Sequence, residues 1–350
     1  DERLYRITTD NKAPTKYEVG SQFDKIAFDP EDQFAILYHG EKNTSSGLYN
    51  PNEIALVDLE AAPSKSNPKI LSVSMDGRKI DMVNFISGLK IGGSERKLAV
   101  FIAGSISRIL DLSDPENIWV KVPLLPTSSN IDFSAQEIIA VDEEEDCENA
   151  SCEAKLFIRS ANTQDIYYIS MGRDPEGFQG VQTKQLEAGG LPLDMEIVKD
   201  GDNLLLAVLS RSGNNSKINF VDIDTSAAFN IVISDYLETI RLINDGINEK
   251  LVFWGNSSYS VYFLKLENIV KEKGRNLTNQ IIQGGINLAR ELENDRLLIV
   301  PRNEDLVLLD LATQKASMLS SGGTYDWQAA RIYKDVFYVL PQNADRVDYF

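Results

Sequence analysis

Six acids recur at one position along this chain, each just ahead of an apolar run. They are Asp24 after Gly20, Asp81 after Gly77, Asp132 after Ser128, Asp194 after Gly190, Glu238 after Asp235 and Asp326 after Gly322. In a further copy Asn287, after Gly284, holds the place. Carboxylates brought together repel by roughly 1 kcal/mol or more per close pair. A bound cation such as Ca²⁺, which takes about six to eight oxygen ligands, relieves that repulsion and makes the set a binding site. Backbone N–H donors relieve it equally well, and then each acid only locks neighbouring turns and strands. Two suitably spaced carboxylates would also serve glycoside hydrolysis, although the sequence singles out no pair. Tyr325 and Trp327 flank the last acid and offer a rigid apolar platform beside it.

Other chemistries have less to work with. The single histidine, His39, must carry any Ser-His-Asp or multi-histidine metal mechanism alone, and no nucleophile motif accompanies it, so it reads as an inert surface or loop residue. No G-x-S-x-G, Walker or Rossmann glycine pattern stands in a strand-to-helix context. Cys147 and Cys152 lie in the acidic stretch from Asp142 to Glu153, a spacing that fits neither a C-x-x-C redox motif nor a zinc cluster. A small disulfide loop pinning an insertion is expected, worth about 2 kcal/mol. The same stretch lacks the glycine and ligand spacing of an EF-hand, so it reads as a solvated insertion. Trp254, Tyr259 and Tyr262 gather on one hairpin, as a core strand or as a binding platform.

The elements that position these residues repeat seven times. Each copy is an apolar run, a short polar turn and a second apolar run, such as Phe34 to Tyr38 with Ile54 to Asp58, Leu98 to Ile102 with Ser107 to Asp111, and Leu297 to Val300 with Leu306 to Asp310. First strands are placed near Ile26, Met82, Phe133, Met195, Ile240, Leu288 and Ala329, and less regular outer strands follow each hairpin. The units begin near residues 24, 79, 131, 193, 237, 285 and 327 of one domain spanning 1–350. The last unit has three strands. Leu4 to Ile7 or Lys16 to Val19, within residues 1–20, is expected to complete it and close the ring. Leu266 to Lys273 is the one segment fit for a helical turn or two.

Bulk composition narrows the function. Of 350 residues 43% are hydrophobic and 25% charged, as in folded soluble proteins. No apolar run approaches the roughly 20 residues that span a bilayer, so no membrane insertion is expected. The net charge of −18, without a basic run longer than a pair, argues against nucleic acid and anionic membrane surfaces. Asp1-Glu2-Arg3 lacks a signal peptide's pattern, so a targeting segment is expected to be absent from this chain. Sequons at Asn43, Asn149, Asn214, Asn256 and Asn276 fall in turns and agree with export.

The hairpin ending Val57-Asp58-Leu59, Leu110-Asp111-Leu112, Val221-Asp222-Ile223 and Leu309-Asp310-Leu311 resembles the β-propeller superfamily, in particular the secreted YVTN, lactonase-like and WD40-like groups. The resemblance covers the whole chain and implies an all-β, seven-bladed propeller of four-stranded antiparallel blades. It also implies that Asp24, Asp81, Asp132, Asp194, Glu238 and Asp326, with Tyr325 and Trp327, converge on one channel mouth. The Tyr-Val-Thr-Asn signature and the Gly-His and Trp-Asp dipeptides are absent, so no single family follows. The function expected is a monomeric, non-enzymatic binding or scaffold module of an extracytoplasmic compartment, engaging a protein partner through propeller-face loops. The alternatives are a metal-dependent, lactonase-like hydrolase with a channel cation such as Ca²⁺ and a carbohydrate-binding lectin.

Overall fold

The computed structural model describes residues 3–6, 14–40, 50–76, 78–91, 94–113, 119–123, 133–142, 154–171, 182–201, 203–244, 248–292, 294–302, 304–319, 327–333, 336–341 and 348–349. Two compact units divide the chain, Asp1–Gln185 and Leu186–Phe350. In the first, β1 (Arg3–Arg6) and β2 (Thr15–Glu18) pair with each other. The first four-stranded antiparallel sheet is β3 (Lys25–Phe28), β4 (Phe34–Tyr38), β5 (Glu53–Asp58) and β6 (Lys69–Ser72). The second is β7 (Met82–Ile91), β8 (Ser94–Ala103), β9 (Ile106–Asp111) and β10 (Trp119–Pro123). The third is β11 (Ala135–Asp142), β12 (Ala154–Ser160), β13 (Asp165–Met171) and β14 (Gln182–Glu187), whose last strand runs across the division.

The second unit continues in the same manner. Its first sheet is β15 (Leu191–Asp200), β16 (Asn203–Ser212), β17 (Asn215–Asp222) and β18 (Ala228–Ile233). Next come β19 (Thr239–Asn244), β20 (Glu249–Trp254) and β21 (Ser260–Lys265), then the single helical turn α1 (Ile269–Glu272) and the outer strand β22 (Leu277–Ile281). β23 (Ile286–Leu292), β24 (Arg296–Pro301), β25 (Leu306–Asp310) and β26 (Lys315–Leu319) form the next sheet. Three strands end the series, β27 (Trp327–Tyr333), β28 (Val336–Pro341) and β29 (Asp348–Tyr349). The sevenfold reading holds: beside the β1–β2 pair, the described residues form seven antiparallel sheets in sequence order, six of them four-stranded.

Second strands explain the packing. Along β8, Leu98, Val100 and Ile102 face the third sheet, while Ala99, Phe101 and Ala103 face the first. A strand buried on both faces must be apolar at every residue, which is why these runs read as continuous and not alternating. β20 repeats the arrangement with Leu251 and Phe253 on one side and Val252 and Trp254 on the other. Full burial of one such Phe or Ile side chain is worth about 1.5–3 kcal/mol. The N-terminal hairpin covers the first sheet, with Tyr17 and Val19 packed on Ala35, Leu37, Ala55 and Val57. Of the segments Leu4 to Ile7 and Lys16 to Val19, rivals for a place in the last blade, residues 4–6 and 16–18 lie in the two strands of that hairpin, paired with each other.

The acid ending the repeated hairpin has a structural task in common from copy to copy, and Asp111 also pairs with Arg96. Asp58 accepts backbone N–H bonds from Glu60 and Ala61, Asp111 from Ser113, Asp222 from Asp224 and Thr225, and Asp310 from Thr313. The next residue then donates back to the start of the second strand, as Leu59 to Gln33, Leu112 to Lys97, Ile223 to Leu204 and Leu311 to Asp295. This residue pair closes four of the sheets at the end of their third strands. The side chain satisfies turn donors that the ladder cannot reach.

Candidate functional site

Four of the six acids ahead of the first strands are described, and all four accept backbone N–H bonds. Asp24 Oδ1 takes the N–H of Gly40 at 2.8 Å, Asp81 Oδ2 that of Gly104 at 2.6 Å and Glu238 Oε2 that of Asn256 at 3.0 Å. Each donor sits where the second strand of the same sheet ends, so these acids tie the entry of one strand to the exit of its neighbour. Asp194 reaches further. Its Oδ1 accepts from Met195 at 3.2 Å, and its Oδ2 accepts from Ile240 at 2.9 Å and from Arg241 Nη1 at 3.0 Å, both on the next sheet. Asp132, Asp326, Tyr325, Cys147 and Cys152 lie outside the described residues. Trp327 opens β27, and only its backbone is described.

Around Asp194 the second unit assembles a charge network that the acid pattern alone did not reveal. Arg241, from β19, bonds Asp194 of β15 and, through Nε at 3.0 Å, Glu291 of β23. Three successive first strands are thus joined through one guanidinium. Burial works against the Arg241 charge, yet Asp194, Glu291 and Glu196 outweigh it and raise its pKa. Glu196, two residues along β15, has the weaker position, accepting one long bond of 3.4 Å from the Leu242 N–H. Burial pushes its carboxyl above the usual range, with Asp194 and Glu291 adding to the rise and the Leu242 N–H and Arg241 opposing it. The legible signal for Arg241 is alternation: in Thr239-Ile240-Arg241 it stands beside a fully buried Ile240.

A second polar knot lies nearby. Asp235 Oδ2 accepts hydroxyl bonds from Ser258 at 2.6 Å and Tyr262 at 3.1 Å, and its Oδ1 accepts the Tyr236 N–H at 2.7 Å. Ser258 Oγ is itself the acceptor for Ser260 N–H at 3.1 Å. Burial and then the Asp235 charge raise the Tyr262 pKa and keep its phenol a donor. Of the hairpin aromatics, Trp254 is buried and Tyr262 half-buried in this knot, while Tyr259 is 63% exposed. The platform reading therefore survives for Tyr259 only.

His39 departs from expectation. It is 2% exposed, with its ring centroid 4.9 Å from that of Phe23. Burial lowers its pKa and favours the neutral imidazole, against the pull of Asp24 and Glu53. His39 stands two residues beyond Leu37, which packs in the same cluster as Phe23 and the N-terminal hairpin, and this draws the ring inward.

At the far ends of the same strands the second unit opens two adjoining cavities. A cleft of about 800 Å³ is lined by Lys199, Asp200, Asn203, Glu249, Leu266 and Glu267, among others. Beyond Asn203 a notch of about 200 Å³ is walled by Leu205, Ala227, Ala228, Phe229 and Val270, with Asp222 and Lys273 at its polar side. α1 stands between them, its Ile269 buried and its Val270 N–H donated to Asp200 Oδ2 at 2.9 Å. Among the described residues no group of three or more His, Cys, Asp or Glu is arranged to hold a metal ion.

Comparison with known proteins speaks to the fold. No family model matches the chain, and no protein of curated function matches it in sequence. Among solved structures it is similar to dihydro-heme d1 dehydrogenase NirN in complex with DHE, at 11% identity and a TM-score of 0.51 over 97% of this chain and 66% of that one. It is similar to a eukaryotic initiation factor at 10% identity and a TM-score of 0.51, over 98% of this chain and 77% of that one. The Dos1 propeller matches at 10% identity and a TM-score of 0.49, over 97% and 78%. The fold is a β-propeller, and identities this low carry nothing beyond the fold.

Proposed function

We propose that this chain is a non-enzymatic binding or scaffold module of an extracytoplasmic compartment, monomeric, which engages a protein partner through loops on a propeller face. In the same reading residues 1–20 complete the last blade. The observation that carries it is the occupation of Asp24, Asp81, Asp194 and Glu238 by backbone N–H groups. An acid committed to a backbone donor has fewer lone pairs for a cation and a poorer claim to general acid or base work. That weighs against the channel-cation hydrolase and leaves binding as the use of the remaining surface.

Two measurements test it together. Melting is followed with added Ca²⁺ and with EDTA, while lactone, phosphoester and glycoside substrates are offered in the presence of divalent metals. An unmoved melting temperature and no turnover are expected. A metal-dependent rise in melting temperature accompanied by turnover overturns the reading in favour of a hydrolase. Cross-linking in intact cells should recover a protein partner in the extracytoplasmic fraction.

A further inference from the structure

The outer strands of the propeller differ in one respect that bears on partners. An exposed strand edge is a template for pairing with another chain, and a lysine on it is the common guard. β6, β10, β14 and β26 each contain one, at Lys69, Lys121, Lys184 and Lys315. β18 and β22 contain no charged residue, and they belong to adjacent sheets of the second unit. Each turns a large aliphatic residue outward, Val232 at 57% exposure and Ile281 at 70%, as β6 does with Ile70 and β26 with Met318, but with no lysine in the strand.

The apolar notch begins at the start of β18, on Ala228 and Phe229. Its volume of about 200 Å³ suits one aliphatic side chain, since a dry apolar cavity of about 150 Å³ already holds a benzene ring. Past Asn203 the larger cleft is acidic. Across the two cavities four carboxylates, Asp200, Asp222, Glu249 and Glu267, face two lysines, Lys199 and Lys273. Among the described residues the Glu249 and Glu267 side chains have no hydrogen bond or ion pair. By contrast Asp24, Asp81, Asp194, Glu238, Asp200 and Asp222 each hold at least one backbone N–H.

We propose that this groove binds an extended peptide segment of a protein partner, laid along β18, with an aliphatic side chain in the notch and a basic side chain in the cleft against Glu249 and Glu267. The assignment rests on the partner-binding reading and names where and what the module binds. Edge pairing supplies sequence-independent affinity, and the notch and the two acids supply the selection. The net charge of −18 sets the sign of the partner and opposes a second copy of the chain in the same place.

The test uses the full chain and an array of twelve-residue peptides in a Ser/Gly background, each with one Leu and one pair of Arg at every spacing. A subset of spacings is expected to bind. Leu→Ser or Arg→Glu in those peptides should abolish binding, added salt should weaken it, and Glu249→Lys with Glu267→Lys, or Val270→Asp alone, should each lower affinity at least tenfold with melting unchanged. Glu267 and Val270 are exposed, Glu249 is half-buried, and neither acid holds a protein group among the described residues, so the variants are expected to fold. Absence of binding by every peptide, or binding indifferent to these variants, overturns the proposal. Concentration-dependent self-association that disappears in the Val270→Asp chain would assign the groove to a second copy and overturn it too. If the cellular partner is still captured by the Glu249→Lys, Glu267→Lys chain, the scaffold reading stands and this groove is not its site.

Discussion

The two ends of β15 use their acids in opposite ways. Near its start Asp194 is 8% exposed and holds two backbone N–H groups and a guanidinium. Ten residues of strand end at Asp200, beside a cleft where Glu249 and Glu267 hold nothing. Both ends are acidic in sequence, and counting charges would rank them alike. The difference lies in backbone supply: where first strands begin, N–H donors come within reach of Asp24, Asp81, Asp194 and Glu238. At the cleft end, among the described residues, Val270 supplies such a donor to Asp200 and the β17–β18 turn supplies two to Asp222, while Glu249 and Glu267 receive none. One end of these sheets is therefore built for cohesion, and the other has carboxylates available to a ligand.

The comparison breaks most visibly at Asp194. Asp194→Ala leaves Arg241 without its buried partner and orphans the Ile240 N–H, so a loss of about 3 kcal/mol in urea denaturation is expected. Asp194→Asn keeps an acceptor and should lose about half as much. A loss below about 1 kcal/mol for the alanine variant would mean that this end is no more cohesive than the cleft. Next in size is Asp235→Ala, which strips Ser258 and Tyr262 of a shared acceptor and should lose about 2 kcal/mol by the same measurement.

How much of this was legible depends on period. The sheets were readable because Leu98 to Ala103 and Leu251 to Trp254 are apolar without a break, which a strand covered on both faces requires. The acids were readable as a repeated position, since turn geometry places the same residue type at the same offset in each copy. The role of Arg241 was not: alternation sets it opposite the buried Ile240, but its partners Asp194 and Glu291 lie 47 and 50 residues away and no repeat points to them. His39 was read as exposed from residue type alone, but Phe23 packs on it from the preceding connection. The cleft escaped for a related reason. Its lining comes from two strand turns and α1, segments with no common pattern.

Two titrations sharpen the cohesive end further. Burial holds the Glu196 pKa above its ordinary value, so the folded state prefers the protonated acid and stability is lost as pH rises through the folded pKa. Glu196→Gln should therefore raise the unfolding free energy measured in urea at pH 7 and leave it unchanged at pH 4. His39 has the opposite sign. Its depressed pKa gives stability that is present above about pH 6.5 and lost as pH falls through the folded value. His39→Phe should flatten that acid limb, and an unaltered limb would place its cause elsewhere.

The smallest effect is the most diagnostic. Glu249→Gln with Glu267→Gln removes two carboxylates that hold no protein group, so a change within about 0.5 kcal/mol is expected. Taken with the loss at Asp194, this places a roughly sixfold ratio in stability between acids at the two ends of one strand. A clear loss on neutralising the cleft would show these carboxylates to be structural after all, and the contrast would collapse. A gain would fit a different cause, relief of repulsion among Asp200, Glu249 and Glu267, and such a gain should fade as salt is raised. Stability unchanged at any salt, with peptide affinity reduced by the same two substitutions, is the pattern that separates a surface kept for a ligand from one kept for the fold.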